Sequence, residues 1–273
     1  MHKNIDEVEF TIFDTETTGL EPETGDRIIE IAAIRFKAGR QISDFHALVN
    51  PGRPVSEAAF AVNGITQEML KGARSIEEVL PGFLSFIKDS CLCSYNAPFD
   101  LGFLNNELKI CGRPALDDME VVDMLKMARR LLPGLERYAL MSVAGVLGVQ
   151  SRQEHRAFSD VKMTLEVFHK FKKILAQKGI SNFRVFFHLF GINSRALDDL
   201  NNQKIAQIQE AIDLGVRLKI KYLSVSGAQV TEREVVPKEI KQENRHIYLV
   251  GHCCLRNEER NFRIDGILHL EII

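Results

Sequence analysis

Three apolar segments rich in β-branched residues open the chain, at residues 9–14, 27–36 and 42–50. Short polar stretches separate them, and Ala38-Gly39-Arg40 is typical of a tight turn. Consecutive strands joined by short turns predict an antiparallel meander.

The apolar spacing then changes to that of amphipathic helices. Apolar residues recur three and four positions apart over residues 76–87, 101–108, 138–147 and 157–176. Brief apolar segments at 91–94 and 121–122 predict strands between these helices. Strands followed by alternating strands and helices predict an α/β domain over residues 1–176, with a mixed sheet flanked by helices.

The remaining sequence predicts a connector and a second, smaller domain. In the connector, residues 177–203, NFRVFFHLFGI is too apolar for a free linker, whereas SRALDDLNNQ is polar and turn-like, so we expect a docked segment. Residues 204–273 begin with a helix at Lys204, and about four strands follow. This order is typical of a small β-barrel or curled sheet.

Composition indicates an ordinary globular protein and sets a condition on its ligands. The 273 residues are 45% hydrophobic and 26% charged, with a formal net charge of −2. Residues 1–176 carry 25 Asp or Glu against 21 Lys or Arg. A polyanionic substrate would therefore be held by bound cations, backbone amides and local basic patches, because long-range attraction is weak.

Neither the start of the sequence nor its cysteines predict export. MHKNIDEVEF has acidic residues where a signal peptide would be apolar, and no run approaches the roughly 18 apolar residues of a membrane span. The five cysteines contain no Cys-x-x-Cys spacing, which favours reduced, mostly buried thiols. We predict a cytoplasmic protein without a membrane partner.

The first candidate site is Asp14 and Glu16 in FTIFDTETTGL. Two positions apart on a strand, their side chains share one face of the sheet. Adjacent carboxylates repel each other, and a bound cation relieves that repulsion. The alternative is a pair of acidic residues that only solvates a strand end.

The second candidate is Asp100 in SYNAPFD, where a strand gives way to a helix. Asn96 is predicted to cap the helix, and Pro98 suits its first turn. Asp100 then lies in that turn, as a metal ligand or simply as a carboxylate that the helix dipole favours.

The third candidate is HRAFSD, with His155 five residues before Asp160. We expect His155 on a loop and Asp160 about one turn into the following helix. A solvated surface histidine is the alternative. His46, His169 and His188 have no comparable acidic motif around them and are predicted to be non-catalytic.

Together the three motifs resemble the DnaQ-like exonucleases, in the histidine-containing DEDDh branch of the DEDD superfamily. That branch includes the proofreading subunit of bacterial replicative polymerases. D-x-E-T-T-G matches Asp14 to Gly19, N-A-x-F-D matches Asn96 to Asp100, and H-x-A-x-x-D matches His155 to Asp160. The resemblance covers about residues 8–176 and implies a ribonuclease H-like fold.

The resemblance also implies a chemistry: removal of nucleoside 5′-monophosphates from a 3′ end. Two Mg²⁺ or Mn²⁺ ions would act on the scissile phosphate. Their ligands would be Asp14, Glu16, Asp100 and Asp160, with Asp14 bridging both ions. His155 would be the general base that accepts a proton from the attacking water.

The resemblance also implies which residues contact the terminal nucleotide. They would involve the backbone of Thr15 and the side chains of Leu20, Val62, Asn63 and Phe99. Leu20, Val62 and Phe99 are equally plausible core residues. Tyr95 and Asn63 stand where relatives often have histidine, which leaves the base and sugar preference open.

The C-terminal segment resembles a WYL domain, a small SH3-like β module thought to bind nucleic acid or nucleotide-like ligands. The matching stretches are EAIDLGVRLKIKYLS, REVVPKEI, IYL and RNFRIDGI, with Ile247 in place of the first letter of the module's name. Candidate phosphate and base contacts are Arg233, Arg256, Arg260, Arg263, Tyr222 and Tyr248. Charged strand faces and core tyrosines are the alternative.

The sequence thus predicts a metal-dependent 3′–5′ exonuclease whose C-terminal module holds substrate or senses a ligand. The predicted partner is a nucleic acid with a 3′ end, with DNA favoured over RNA, and a polymerase subunit is a further candidate. A non-catalytic regulator that binds nucleic-acid ends is the alternative function. Oligomeric state and the ligand of the C-terminal module are not determined by the sequence.

Overall fold

A computed structural model describes residues 3–150, 156–192, 195–224, 229–244 and 246–273. In these residues the chain forms a seven-stranded sheet and a five-stranded sheet. The strands of the first sheet are β1 (Glu9–Thr17), β2 (Ile28–Lys37), β3 (Arg40–Asn50), β4 (Arg74–Ser75), β5 (Cys91–Ser94), β6 (Val121–Asp123) and β7 (Gly191–Ile192).

The first sheet is mixed, with the order β4-β3-β2-β1-β5-β6-β7. Strands β1, β2 and β3 form the predicted antiparallel meander, and β5 and β6 run parallel to β1. The predicted mixed α/β sheet is therefore confirmed.

Helices cover both faces of this sheet. The helices of the described residues are α1 (Glu57–Asn63), α2 (Gln67–Leu70), α3 (Ile76–Ile87), α4 (Ala97–Ile110), α5 (Met124–Leu131), α6 (Leu140–Val146), α7 (Ala157–Gln177), α8 (Phe183–Phe190) and α9 (Arg195–Leu214). The last of them, α9, packs on the second sheet. Because side chains alternate along a strand, Ile12 of β1 lies in the core beneath α7 while its neighbour Phe13 lies in the opposite core, with α3 and α4.

The connector is helical, which corrects part of the prediction. Its apolar half forms α8, with Phe186, Phe187 and Phe190 buried, so the prediction of a docked segment is confirmed there. The prediction that the polar half is turn-like is wrong, because α9 begins at Arg195 and not at Lys204. Leu197 and Leu200 are spaced for a helix and pack on the main core, and this packing outweighs the poor helix propensity of the polar residues.

The C-terminal domain is an antiparallel sheet packed on α9. Its strands are β8 (Leu218–Leu223), β9 (Val230–Glu243), β10 (His246–Cys253), β11 (Glu258–Arg263) and β12 (Ile267–Ile272), in the order β11-β10-β9-β8-β12. Ile208 and Ala211 of α9 are buried against it. The predicted order of elements, one helix followed by strands, is confirmed.

Two further expectations concern the membrane and the cysteines. Within the described ranges, no helix has both the length and the apolar character that a membrane span requires. All five cysteines are free thiols; Cys91, Cys93 and Cys253 are buried, Cys111 is partly buried and Cys254 is exposed.

Candidate active site

Asp14 and Glu16 lie in the second half of β1 on the face covered by α7. In the β1–β2 ladder they stand opposite Ala32 and Glu30. Their side chains are partly buried. The predicted shared face is therefore confirmed, and β2 places another acidic residue, Glu30, opposite Glu16.

Asp160 completes a cluster of three carboxylates. It is buried in the first turn of α7, as predicted, and its backbone N–H donates to the carbonyl of Arg156 over 3.1 Å. One carboxylate oxygen from each of Asp14, Glu16 and Asp160 lies within 4.8 Å of the other two. Glu16 and Asp160, which are 144 positions apart in the sequence, thus meet at one point.

Asp100 stands beside this cluster, in the first turn of α4, and its oxygens are held by other groups. Oδ1 accepts hydrogen bonds from the backbone N–H of Thr15 (2.9 Å) and from the Thr15 hydroxyl (2.7 Å). Oδ2 accepts from the Ser94 hydroxyl at 2.5 Å. Asp100 therefore fastens the start of α4 to the middle of the motif that carries Asp14 and Glu16.

Asn96 is the N-cap residue of α4, as predicted, although its side chain does not supply the capping bond. It adopts a left-handed backbone conformation (φ 69°). Asparagine tolerates that conformation better than most residues. Asp123 accepts the hydrogen bond from Ala97 N–H instead (3.3 Å), while Pro98 lies in the first turn as predicted.

Without a bound cation, the ionised forms of these clustered carboxylates are electrostatically unfavourable. Burial, then the charges of Asp100 and Glu16, raise the pKa of Asp14 well above its ordinary value. Burial and the charge of Asp160 raise the pKa of Glu16 to about 8. Burial raises the pKa of Asp100 to about 6, against the lowering effect of its hydrogen bonds.

These shifts fit a metal site. Clustered carboxylates whose ionised forms are disfavoured gain free energy when a cation neutralises them. Hard carboxylate oxygens are the donors that Mg²⁺ and Mn²⁺ prefer. Asp14, Glu16 and Asp160 therefore have the chemistry and the proximity to hold a divalent ion.

His155 lies outside the described residues. The next residue, Arg156, is described and leads into α7. Its guanidinium donates to both carboxylate oxygens of Glu30, through Nη2 (2.6 Å) and Nε (3.1 Å). Glu30 belongs to none of the three sequence motifs, although a charged residue inside the apolar strand RIIEIAAIRF is a signal that could identify it.

The predicted nucleotide-contact residues divide into two groups. Leu20 and Val62 are 78% and 57% exposed, so they are available to a ligand. Phe99 is partly buried, with its ring centroid 5.0 Å from that of Phe103. Asn63 is buried; its Oδ1 accepts from Ile65 N–H (3.0 Å) and its Nδ2 donates to the Thr17 carbonyl (3.4 Å).

The candidate contacts of the C-terminal domain are largely engaged within the protein. Arg263 pairs with Asp265 through Nη2 and Oδ2 at 2.5 Å. The ring of Tyr222 packs edge-on against Phe262 at 5.2 Å between centroids, which favours the core interpretation for Tyr222. Arg256 is exposed.

Comparison with known proteins gives matches over both domains. A family model described as "Exonuclease" matches residues 11–168, and one described as "WYL domain" matches residues 203–272. A DNA polymerase III PolC-type protein of Thermotoga maritima is 35% identical over 269 residues, which are 96% of this chain and 19% of that protein. The chain thus spans about a fifth of the length of that relative.

Two further similarities concern shorter regions. A DNA polymerase III subunit epsilon-like protein of Rhodobacter capsulatus is 35% identical over 201 residues, covering 72% of this chain and 28% of that protein. Among solved structures, Exonuclease X in complex with 5′ overhanging duplex DNA aligns with a TM-score of 0.51 and 28% identity. That alignment covers 64% of this chain and 95% of Exonuclease X.

Proposed function

This chain belongs to the exonuclease family and carries a C-terminal WYL domain, and from that premise we propose that it removes nucleoside 5′-monophosphates from 3′ ends in a metal-dependent reaction. One observation carries the proposal. Asp14, Glu16 and Asp160 bring carboxylate oxygens within 4.8 Å of one another, at a position where the pKa values of Asp14 and Glu16 are raised.

We propose that Asp14, Glu16 and Asp160 would hold the catalytic cations, Mg²⁺ or Mn²⁺, directly. When bound, such ions supply Lewis-acid chemistry, because they make the attacking water more acidic and neutralise charge that develops at the phosphate. Asp100 is proposed as the fourth ligand. The hydrogen bonds from Thr15 and Ser94 hold its carboxylate beside the cluster.

His155 is proposed as the general base. A neutral imidazole accepts the proton of the attacking water at one ring nitrogen, and the tautomer is set by the partner of the other nitrogen. Support comes from the chain connection, since Arg156 is bonded to His155 and its side chain is fixed on Glu30 beside the carboxylates.

DNA is the proposed substrate, in preference to RNA. The relatives at 35% identity are named as DNA polymerase III proteins, and Exonuclease X is seen with duplex DNA. Exposed apolar side chains at Leu20 and Val62 suit contact with an unpaired terminal base. Association with a polymerase subunit belongs to the same proposal and is tested by co-elution with the polymerase.

The decisive assay uses 5′-labelled single- and double-stranded DNA and RNA with Mg²⁺ or Mn²⁺, and EDTA as the control. We expect shortening from the 3′ end, with nucleoside 5′-monophosphates as products. Asp14→Ala should abolish it, while Asp117→Ala, an exposed acidic residue of the same domain, should not. Binding of DNA ends without any shortening would favour the non-catalytic regulator instead.

A further inference from the structure

Glu30 is a fully buried carboxylate near the start of the apolar strand β2. Burying a charged group is costly unless hydrogen bonds and counter-charges compensate for it. Its position is also specific, because it stands directly opposite Glu16 in the β1–β2 ladder.

Four donors compensate Glu30, and three of them come from one short segment. Arg156 binds it through Nη2 and Nε, and the backbone N–H of Ala157 donates to Oε2 over 3.0 Å. Nε2 of His46 lies 2.7 Å from Oε1, within hydrogen-bonding distance. Burial acts to raise the pKa of Glu30, but the hydrogen bonds from Arg156, His46 and Ala157 outweigh it and lower the pKa below its ordinary value.

These bonds fix the start of α7. Ala157 is the first residue of the helix, so its N–H is one of the donors that no helical carbonyl can satisfy. The carbonyl of Arg156 accepts the hydrogen bond from Asp160 N–H. One carboxylate of β2 thus holds both the residue that follows His155 and the turn that carries Asp160.

We propose that Glu30 is a positioning residue, which acts through Arg156 and Ala157 to hold the residue that follows His155 in the chain and to place Asp160 against Asp14 and Glu16. The inference rests on the proposed exonuclease function, because it assigns His155 and Asp160 their roles. Neither Glu30 nor Arg156 touches the reacting atoms in this role.

A second ion pair in the same domain provides a matched control. Glu107 of α4 is also buried and also accepts hydrogen bonds from Nε and Nη2 of one arginine, Arg27, and from the backbone N–H of Ile28. Ile28 is the first residue of β2 and Arg27 precedes it, and these hydrogen bonds join Arg27 and Ile28 only to Glu107, not to the start of α7. Loss of this pair costs stability without disturbing the segment before Asp160.

The experiment compares Glu30→Gln, Arg156→Ala, Arg156→Lys and Glu107→Gln in the full chain. We expect Glu30→Gln and Arg156→Ala to lower kcat by about 10- to 100-fold with KM nearly unchanged. Arg156→Lys should recover part of the loss, since it keeps a cation beside Glu30. Glu107→Gln should lower the melting temperature but leave kcat at the wild-type value. Equal kcat in Glu30→Gln and wild type overturns the proposal.

Hydrogen exchange in metal-free protein supplies a readout that does not depend on activity. Backbone amides of residues 157–160 should exchange faster in Glu30→Gln than in wild type and in Glu107→Gln. Unchanged exchange at these amides overturns the proposal. This measurement also covers a variant whose activity is too low to analyse.

A double-mutant cycle separates positioning from a general structural effect. In a His155→Ala background, Glu30→Gln should cost less activity than in wild type, because the proposed base that precedes Arg156 in the chain is already gone. Full additivity overturns the link to His155. If wild type itself shortens no substrate, the proposed function fails; if wild type is active and only Glu30→Gln is indistinguishable from it, this inference alone fails.

Discussion

Arg130 of α5 donates hydrogen bonds to both the backbone carbonyl (3.3 Å) and the carboxylate (3.4 Å) of Asp265. The two residues are 135 positions apart, and they join the exonuclease domain to the WYL domain. The Arg130 side chain is only 4% exposed and that of Asp265 21% exposed, so water screens the pair weakly. The charge of Arg130 and the hydrogen bond from Arg263 outweigh burial and lower the pKa of Asp265 to about 2.

Asp265→Asn should therefore destabilise the folded protein. It leaves the Arg130 guanidinium buried without its anion, a change that costs about 3 kcal/mol in comparable pairs. Urea unfolding at neutral pH measures the loss. Glu258→Gln removes an exposed pair with Arg260 in the same domain and should cost less than about 1 kcal/mol. Equal effects of the two substitutions would contradict the prediction.

The interface between the domains also predicts a pH dependence, through Lys204. Its ammonium group donates to the Ile267 carbonyl and lies 3.2 Å from His188 Nδ1. Burial, aided by the charge of Arg130, lowers its pKa from 10.5 to about 7. Between these two values the unfolded chain holds a proton that the folded chain has released, so stability should rise with pH across that window.

Unfolding of wild type and Lys204→Met between about pH 7 and pH 9 tests this sign. The stability of wild type relative to the variant should increase as pH rises. Lys219→Met, at an exposed position on β8, should show no such trend. If the free energies of unfolding of wild type and Lys204→Met differed by the same amount at every pH, Lys204 would not be a buried group that titrates in this range.

The carboxylate cluster predicts opposite effects of one substitution with and without metal. Asp14→Asn removes a charge that burial and its neighbours oppose, so metal-free protein should become more stable, by about 1 kcal/mol at pH 8. The stabilisation that Mn²⁺ gives to wild type should disappear. Thermal unfolding in EDTA and in Mn²⁺ measures both, with Asp117→Asn as the control. A metal-free Asp14→Asn that is less stable than wild type would contradict this electrostatic account.

Local sequence identified the parts of the site that depend on short-range geometry. The two-residue spacing of Asp14 and Glu16 fixes a shared strand face, and the position of Asp160 fixes the first turn of α7. The family could be predicted for the same reason, because each of the three motifs is short and its residues lie close together in the sequence. The exonuclease and WYL models confirm that prediction.

Contacts between distant segments were beyond the sequence. Glu30 and Arg156 are 126 positions apart, and nothing in RIIEIAAIRF indicates which cation meets its glutamate. The start of α9 was missed because its polar residues are typical of a turn. Its helical structure depends on the packing of Leu197 and Leu200 against the main core, which the local sequence does not show. In both cases tertiary packing determines the structure, and the partners in that packing lie far away in the sequence.

Leu20 provides a test of substrate contact. It is 78% exposed, so Leu20→Ala should change the free energy of unfolding by less than about 0.5 kcal/mol. If its side chain packs on the terminal nucleotide, KM should rise about fivefold, which corresponds to about 1 kcal/mol of lost contact, with little change in kcat. Ile110→Ala, 51% exposed at the far end of α4, is the matched control and should leave KM unchanged. An unchanged KM in Leu20→Ala would remove this residue from the binding surface.

The pH dependence of the reaction tests His155 directly. A general base must be neutral, so kcat at saturating Mn²⁺ should fall about tenfold per pH unit as the pH drops below roughly 6.5, the ordinary pKa of histidine. Raising the pH through that value should restore the rate, because the imidazole loses its proton. His155→Ala should lower kcat and remove this inflection, while His169→Ala, in the second half of α7, should keep it. Full activity in His155→Ala, or an inflection that persists in it, would assign the proton transfer to another group.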